Sequence, residues 1–170
     1  GFHVALQNQQ RVSRFIISNT WAWPLESDGH KKFSTTMGGW LGQFGAWCCN
    51  GMVRFFMDKG VVNQLSDKEM AMYLAPLKQR AQRTPTQIFP AQLIGAKDFL
   101  NTINRKLYML SDRPTLIVWG LKDFAFKEPE RIRFESLFTN HKTILLPDPG
   151  HFIQEDAPDE IANAIRTFYQ

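Results

Sequence analysis

Two short apolar runs in the last third of the chain, Thr115-Leu-Ile-Val-Trp119 and Thr143-Ile-Leu-Leu146, limit its fold more than any other feature. Both are short and apolar on both faces, the pattern of strands buried within a parallel sheet. Between them, Pro129 to Phe138 reads as a helix, with Glu128 and Glu130 at its positive end and Ile132, Leu137 and Phe138 apolar. Strand, helix and strand in that order predict an α/β unit with a parallel sheet. Each run leads into a loop with one conspicuous polar residue: Asp123 in Trp119-Gly-Leu-Lys-Asp-Phe and His151 in Pro147-Asp-Pro-Gly-His-Phe. Loops that follow parallel strands are where such sheets keep their chemistry.

The rest of the chain surrounds this pair. Phe2, Val4 and Ala5 read as the tail of a helix ended by Gln7-Asn-Gln-Gln10, and Val12 to Ser18 as a further buried strand centred on Phe15-Ile-Ile17. Asn19-Thr-Trp-Ala-Trp-Pro24 then forms a loop. From Leu25 to Leu110 strand signals vanish and Gly, Met, Trp and Phe become dense, which predicts a helical insert. Within it, Ser66-Asp-Lys-Glu69 is a capping-box signature and Pro76 should kink or close the helix that follows. After Thr84-Pro85 and Phe89-Pro90, Phe99, Leu100, Ile103, Leu107 and Leu110 mark a last helix of the insert. Pro158, among Asp156, Asp159 and Glu160, opens a final helix through Ile161, Ile165 and Phe168. The expected organisation is a core segment over residues 1–24, a helical region over 25–110 and a second core segment over 111–170.

Composition narrows the function classes. An apolar content of 44% with 21% charged residues suits a folded domain with a real core. The net charge of +4 is scattered, with only Lys31-Lys32 and Arg131 to Arg133 as short clusters, so nucleic acid is not an expected partner. The adjacent Cys48 and Cys49 read as small core residues in a reducing compartment, which points to a cytoplasmic location. No Cys-x-x-Cys or His-x-x-x-His spacing suggests a metal, no cofactor motif occurs, and the apolar stretches break well short of a bilayer span. The chain opens at Gly1-Phe-His-Val, without an initiator Met, as though already inside a fold.

Asp123 and His151 at successive strand ends would meet at one edge of the sheet. A carboxylate there accepts from the far imidazole nitrogen, sets the tautomer and stabilises the charge that appears when the near nitrogen takes a proton. Taken singly, each reads as well as a turn cap or a surface histidine; together they form half of a catalytic triad. No partner is expected for His3, His30 or His141, and Glu155 and Asp156 read as helix-start charges.

The segments Trp119-Gly-Leu-Lys-Asp-Phe-Ala-Phe126 and Pro147-Asp-Pro-Gly-His-Phe-Ile-Gln-Glu-Asp-Ala-Pro-Asp-Glu160 resemble the acid and histidine segments of α/β-hydrolases of the haloalkane dehalogenase type. Gly1 to Trp21 is similar to the stretch after that family's nucleophile elbow, and the middle corresponds to its helical cap. The resemblance implies the C-terminal half of an α/β-hydrolase fold, with about three parallel strands, flanking helices and the inserted cap. It implies that the nucleophilic Asp lies just before the position of Gly1, and no Gly-x-Ser-x-Gly or Gly-x-Asp-x-Gly replaces that elbow within the chain.

Where some relatives carry the acid as Glu after the first strand, this chain has Asn19, so the resemblance implies the Asp-acid branch with Asp123 as acid and His151 as base. Phe124, Phe126 and Phe152 would wall the substrate, a small apolar haloalkane, and Trp21 and Trp23 would line the mouth or pack between cap and sheet. Trp40 and Trp47 read as core rather than as halide-binding indoles. Three alternatives stay open. An epoxide hydrolase would use cap tyrosines, of which Tyr73 and Tyr108 are available, and a serine esterase would need Ser at the elbow. The third is a non-catalytic half-domain that pairs with another chain or self-associates through an exposed strand edge.

Overall fold

A computed structural model describes residues 1–170. In chain order the elements are α1 (Phe2–Gln7), β1 (Phe15–Ser18), α2 (Asp28–Gly38), α3 (Trp40–Cys49), α4 (Gly51–Lys59), α5 (Asp67–Leu74), α6 (Thr84–Gly95), α7 (Lys97–Lys106), β2 (Thr115–Gly120), α8 (Glu128–Leu137), β3 (His141–Leu146), α9 (Ile153–Asp156) and α10 (Pro158–Tyr169). Short 3-10 turns follow α1, α5 and α7 and precede α6. The chain divides into two compact units. One holds Gly1–Trp23, Gly60–Asn63 and Asn101–Gln170, and the other holds Pro24–Lys59 and Gln64–Leu100.

The first unit is α/β. Its sheet has the order β1-β2-β3 with both pairings parallel, Phe15 opposite Thr115 and Thr115 opposite His141. β2 is central and all six of its residues are buried, as an apolar run covered on both faces requires. Its side chains alternate between two cores. Leu116 and Val118 join Leu146, Ile153, Ala157 and Ala164, with Ile161, Ile165 and Phe168 of α10 packed against them. Trp119 turns the other way, toward Phe134 of α8. Phe134 also packs against Phe2, Trp23 and Phe138, and it is completely buried.

The flanking strands differ from the sequence expectation of fully buried runs. β1 begins at Phe15 rather than Val12, only Ile17 in it is buried, and Ile16 is 42% exposed. β3 begins at His141 and buries only Leu146. Within this sheet both are outer strands, each paired with β2 alone, so their apolar residues are covered from fewer sides.

The second unit is helical. Ser66 Oγ accepts from Glu69 N while Glu69 Oε2 accepts from Ser66 N at 2.8 Å, completing the capping box at the start of α5. The helix gives way to a 3-10 turn at Ala75, beside Pro76. α6 runs through Pro90, whose carbonyl accepts from Ser34 Oγ of α2 at 2.8 Å. Here α2 and α6 approach closely: a Cβ on Gly38 would lie 2.7 Å from the Ala91 backbone. Buried Arg83 satisfies three carbonyls, Trp47 at 2.6 Å, Leu77 at 2.8 Å and Lys78 at 3.1 Å, as a buried guanidinium must.

Two core expectations fail in this unit. Trp40 is 77% exposed and Trp47 is also exposed, together with Leu41 and Phe44, because α3 is apolar around most of its circumference and one side suffices for packing. Cys49 is exposed and Cys48 half-buried, on the same helix.

Candidate active site

The site is built where β2 and β3 end. β2 closes with Gly120, and a side chain there would collide with the following loop: its Cβ would lie 2.6 Å from Gly150 O and 2.7 Å from Pro149 O. The bare backbone lets the two loops lie against each other. Leu121 N donates to Leu146 O at 2.9 Å and Lys122 N to Pro149 O at 3.1 Å. At the surface, Lys122 Nζ and Asp148 Oδ1 pair at 2.8 Å, an exposed ion pair that contributes little.

This contact brings Asp123 and His151 together. His151 Nδ1 and Asp123 Oδ2 are 2.9 Å apart, so the carboxylate accepts from Nδ1–H and Nε2 is the nitrogen that Asp123 does not engage. Asp123 is only 3% exposed. Burying a carboxylate is costly unless donors replace its water, and three do so. His151 Nδ1 and Asn19 Nδ2, the latter at 2.8 Å, share Oδ2, while Ala125 N donates to Oδ1 at 2.7 Å.

Asn19 is the bracket that holds the acid. It follows β1, is 5% exposed, and has φ of 29°, a left-handed conformation that Asn tolerates better than most residues. Its amide spans the end of β2: Nδ2 donates to Gly120 O at 3.1 Å and Oδ1 accepts from Gly120 N at 2.9 Å. The same side chain therefore ends the β1–β2 ladder and aims a donor at Asp123. From the sequence Asn19 was legible only as a residue that is not an acid.

Aromatic rings surround the imidazole. Phe152 meets it edge-on with centroids 4.9 Å apart, Phe126 lies at 5.7 Å and Phe124 at 6.0 Å. Trp21 stacks on Phe126 at 4.8 Å, and its indole Nε1 is buried without a hydrogen-bond partner. Trp23 goes elsewhere: it is buried against Phe134, centroids 4.8 Å apart, with the Arg133 guanidinium 4.2 Å from its ring. The structure thus gathers Asp123, His151, Phe124, Phe126, Phe152 and Trp21, and puts Trp23 in the core.

Other residues also depart from expectation. His30 Nδ1 lies 2.6 Å from Ser27 Oγ at the start of α2, and His141 Nδ1 lies 2.6 Å from Phe138 O, so both have partners that their sequence neighbourhoods did not announce. Glu155 and Asp156 both lie in the single turn of α9, as expected of helix-start charges, but Asp156 does more than that. It sits at the end of α9 and accepts from the backbone of Gly150, Val62 and Asn63. Nothing in its local sequence signals this, because Val62 and Asn63 lie far away along the chain.

A sequence family described as alpha/beta hydrolase fold matches residues 1–158. The chain belongs to this family. Haloalkane dehalogenase 2 of Mycobacterium tuberculosis is 35% identical to this α/β hydrolase over 164 residues, covering 95% of this chain and 57% of the relative. A cis-3-alkyl-4-alkyloxetan-2-one decarboxylase of Xanthomonas campestris is 27% identical over 181 residues, covering all of this chain and 59% of that protein. The chain therefore spans somewhat more than half the length of the curated relatives it matches. The crystal structure of haloalkane dehalogenase DbeA from Bradyrhizobium elkani superposes with a TM-score of 0.83 over 98% of this chain and 62% of that one, at 21% identity. That likeness is one of fold, and it agrees with the parallel sheet and flanking helices expected from the sequence.

Proposed function

We propose that this α/β hydrolase carries the acid, Asp123, and the base, His151, of a haloalkane dehalogenase-like enzyme, whose nucleophilic carboxylate comes from outside residues 1–170. The observation that supports this reading is the 2.9 Å bond between Asp123 and His151 at adjacent strand ends, inside a ring of Phe124, Phe126 and Phe152. Residues 25–110 correspond to the cap region of such enzymes. The substrate is a small apolar molecule with a carbon–halogen bond, suited to an aromatic wall, and the expected location is the cytoplasm.

In the first step the external carboxylate forms a C–O bond as the C–X bond breaks, and halide leaves with the bonding electrons. In the second, His151 Nε2 takes a proton from water while its oxygen attacks the ester carbonyl, and Asp123 offsets the imidazolium charge. Collapse of that adduct passes the imidazolium proton to the departing alkoxide, which leaves as the alcohol, and the carboxyl group gives its remaining proton to solvent, restoring the carboxylate and neutral His151. The aromatic ring keeps other water away from the ester.

The test uses these residues joined to their nucleophile segment, with 1-bromobutane as substrate. The expected result is bromide release. His151→Ala should give one bromide per chain and an alkyl ester visible by mass spectrometry, and Asp123→Asn should lower kcat by about ten-thousandfold. Residues 1–170 alone should release no halide. Turnover by residues 1–170 that His151→Ala abolishes would overturn the external nucleophile.

The similarity to an oxetan-2-one decarboxylase supports a second reading, with a four-membered lactone as substrate. Carbon dioxide release from such a lactone, with no bromide from 1-bromobutane, would select it. Self-association through the outer edge of β1 is also proposed, and a monomer by light scattering would refute it.

A further inference from the structure

We propose that Asp156 is a positioning residue for His151, an inference that rests on the reading of His151 as the base. Its carboxylate gathers backbone donors from two distant stretches. Oδ2 accepts from Gly150 N at 2.8 Å, and Oδ1 accepts from Val62 N at 2.9 Å and Asn63 N at 3.1 Å. Val62 N also lies 3.1 Å from Oδ2, so its N–H is shared between the two oxygens. The Gly60–Asn63 segment closes the arrangement from its own side, because Phe152 N donates to Gly60 O at 2.9 Å.

The consequence falls on His151, which lies between the two anchored amides. The N–H before it, of Gly150, is held by Asp156, and the N–H after it, of Phe152, is held by the segment that Asp156 grips. The imidazole therefore projects from a backbone pinned on both sides. Gly150 and Gly60 are buried, and they meet so closely that a Cβ on Gly150 would lie 2.7 Å from Gly60 O. Only an ionised carboxylate offers acceptors on both oxygens; the amide of Asn would turn a donor toward one set of N–H groups. Asp156 touches no reacting atom, and it acts through the backbone of Gly150 and Phe152 on the Nδ1 bond to Asp123.

The test follows the Nδ1 proton of His151 by nuclear magnetic resonance in the full chain, with Asp123→Asn as the control that removes its acceptor. Asp156→Ala and Gly150→Ala, the second keeping the carboxylate but prying the segments apart, should each speed exchange of that proton and of the Phe152 amide with water by about tenfold. Asp156→Asn should have a smaller effect, and the amides of β2 should keep their exchange rates in all three. A merely structural role would lower the melting temperature without moving the Nδ1 proton below it, and that result would overturn the proposal. Should Asp156→Ala fail to fold, Gly150→Ala and Asp156→Asn decide; failure of all three to fold would make Asp156 a fold determinant and also overturn the proposal. If the proton ignores Asp123→Asn, the reading of the pair fails, and the clasp is then judged on the Phe152 amide alone.

Discussion

The sheet unit and the helical unit treat their large apolar residues in opposite ways. In the first, β2 is buried along its whole length and Phe134 lies at the centre of a group of rings. In the second, Trp40, Leu41 at 64% and Phe44 at 56% exposure line one outer side of α3. Polar groups differ in the same sense. The buried carboxylate of Asp123 is held by side chains and an amide from separate elements, whereas most capping and turn bonds of the helical unit link near neighbours. A parallel sheet must cover both faces to exist, while a helix closes its own backbone bonds and needs a single packed side. Apolar composition therefore secures burial in β2, which is covered on both faces, and does not in α3 or in the outer strands β1 and β3.

The largest effect expected from this contrast is at Phe134. Phe134→Ala should lower unfolding free energy by about 3–5 kcal/mol, whereas Phe44→Ala should stay within about 0.5 kcal/mol, both read by chemical denaturation. A large cost at Phe44 would break the comparison, since it would mean that the outer side of α3 is covered in solution.

Asn19→Ala should cost about 1–3 kcal/mol, because it strips a donor from buried Asp123 and leaves Gly120 N without its acceptor. Gly38→Ala should cost a similar amount, about 1–3 kcal/mol, by forcing α2 from α6. Hydrogen exchange separates the two: the first should loosen the amides around Gly120, the second those of α2 and α6. If Gly38→Ala loosens β2 instead, its effect is not confined to the α2–α6 contact.

The smallest expected effect is in acid. Hydrogen bonds from the Ser66 side chain and backbone hold the Glu69 carboxyl below its ordinary value of 4.5. In the sheet unit, burial alone would raise Glu135, but bonds from Thr143 and Arg131 and the Arg131 charge outweigh it and also hold the group below 4.5. A depressed folded value gives stability that is complete above the unfolded value and lost as pH falls through the folded one. Glu69→Gln and Glu135→Gln should therefore each flatten the fall in stability below pH 4.5. An unchanged pH profile in Glu69→Gln alone would remove the capping box from the account of acid sensitivity and leave the sheet unit as its source.

Much of the site is legible in the sequence. The runs ending at Trp119 and Leu146 are strands because they are too short and too apolar for another role, and loops after parallel strands meet at one edge, so Asp123 and His151 were destined to be neighbours. Phe124, Phe126 and Phe152 lie near the imidazole because they flank the pair in sequence. The capping box at Ser66 and the helix openings at Pro129 and Pro158 are local chemistry, and local chemistry is written in neighbouring residues.

Local sequence is therefore enough to give the strand and helix order of the sheet unit and the identity of the polar pair. Tertiary structure decided everything that depends on a partner far along the chain. It turned Asn19 from an excluded acid into the bracket for Asp123, and gave Asp156, a charge in the first turn of α9, the further task of anchoring Gly150, Val62 and Asn63. It also sent Trp21 to the site and Trp23 to the core, although they stand two positions apart in one loop. The physical reason is common to all of these. Hydrogen-bond and ring partners are chosen by which elements come within a few ångströms of one another, and no residue carries that information in its immediate neighbours.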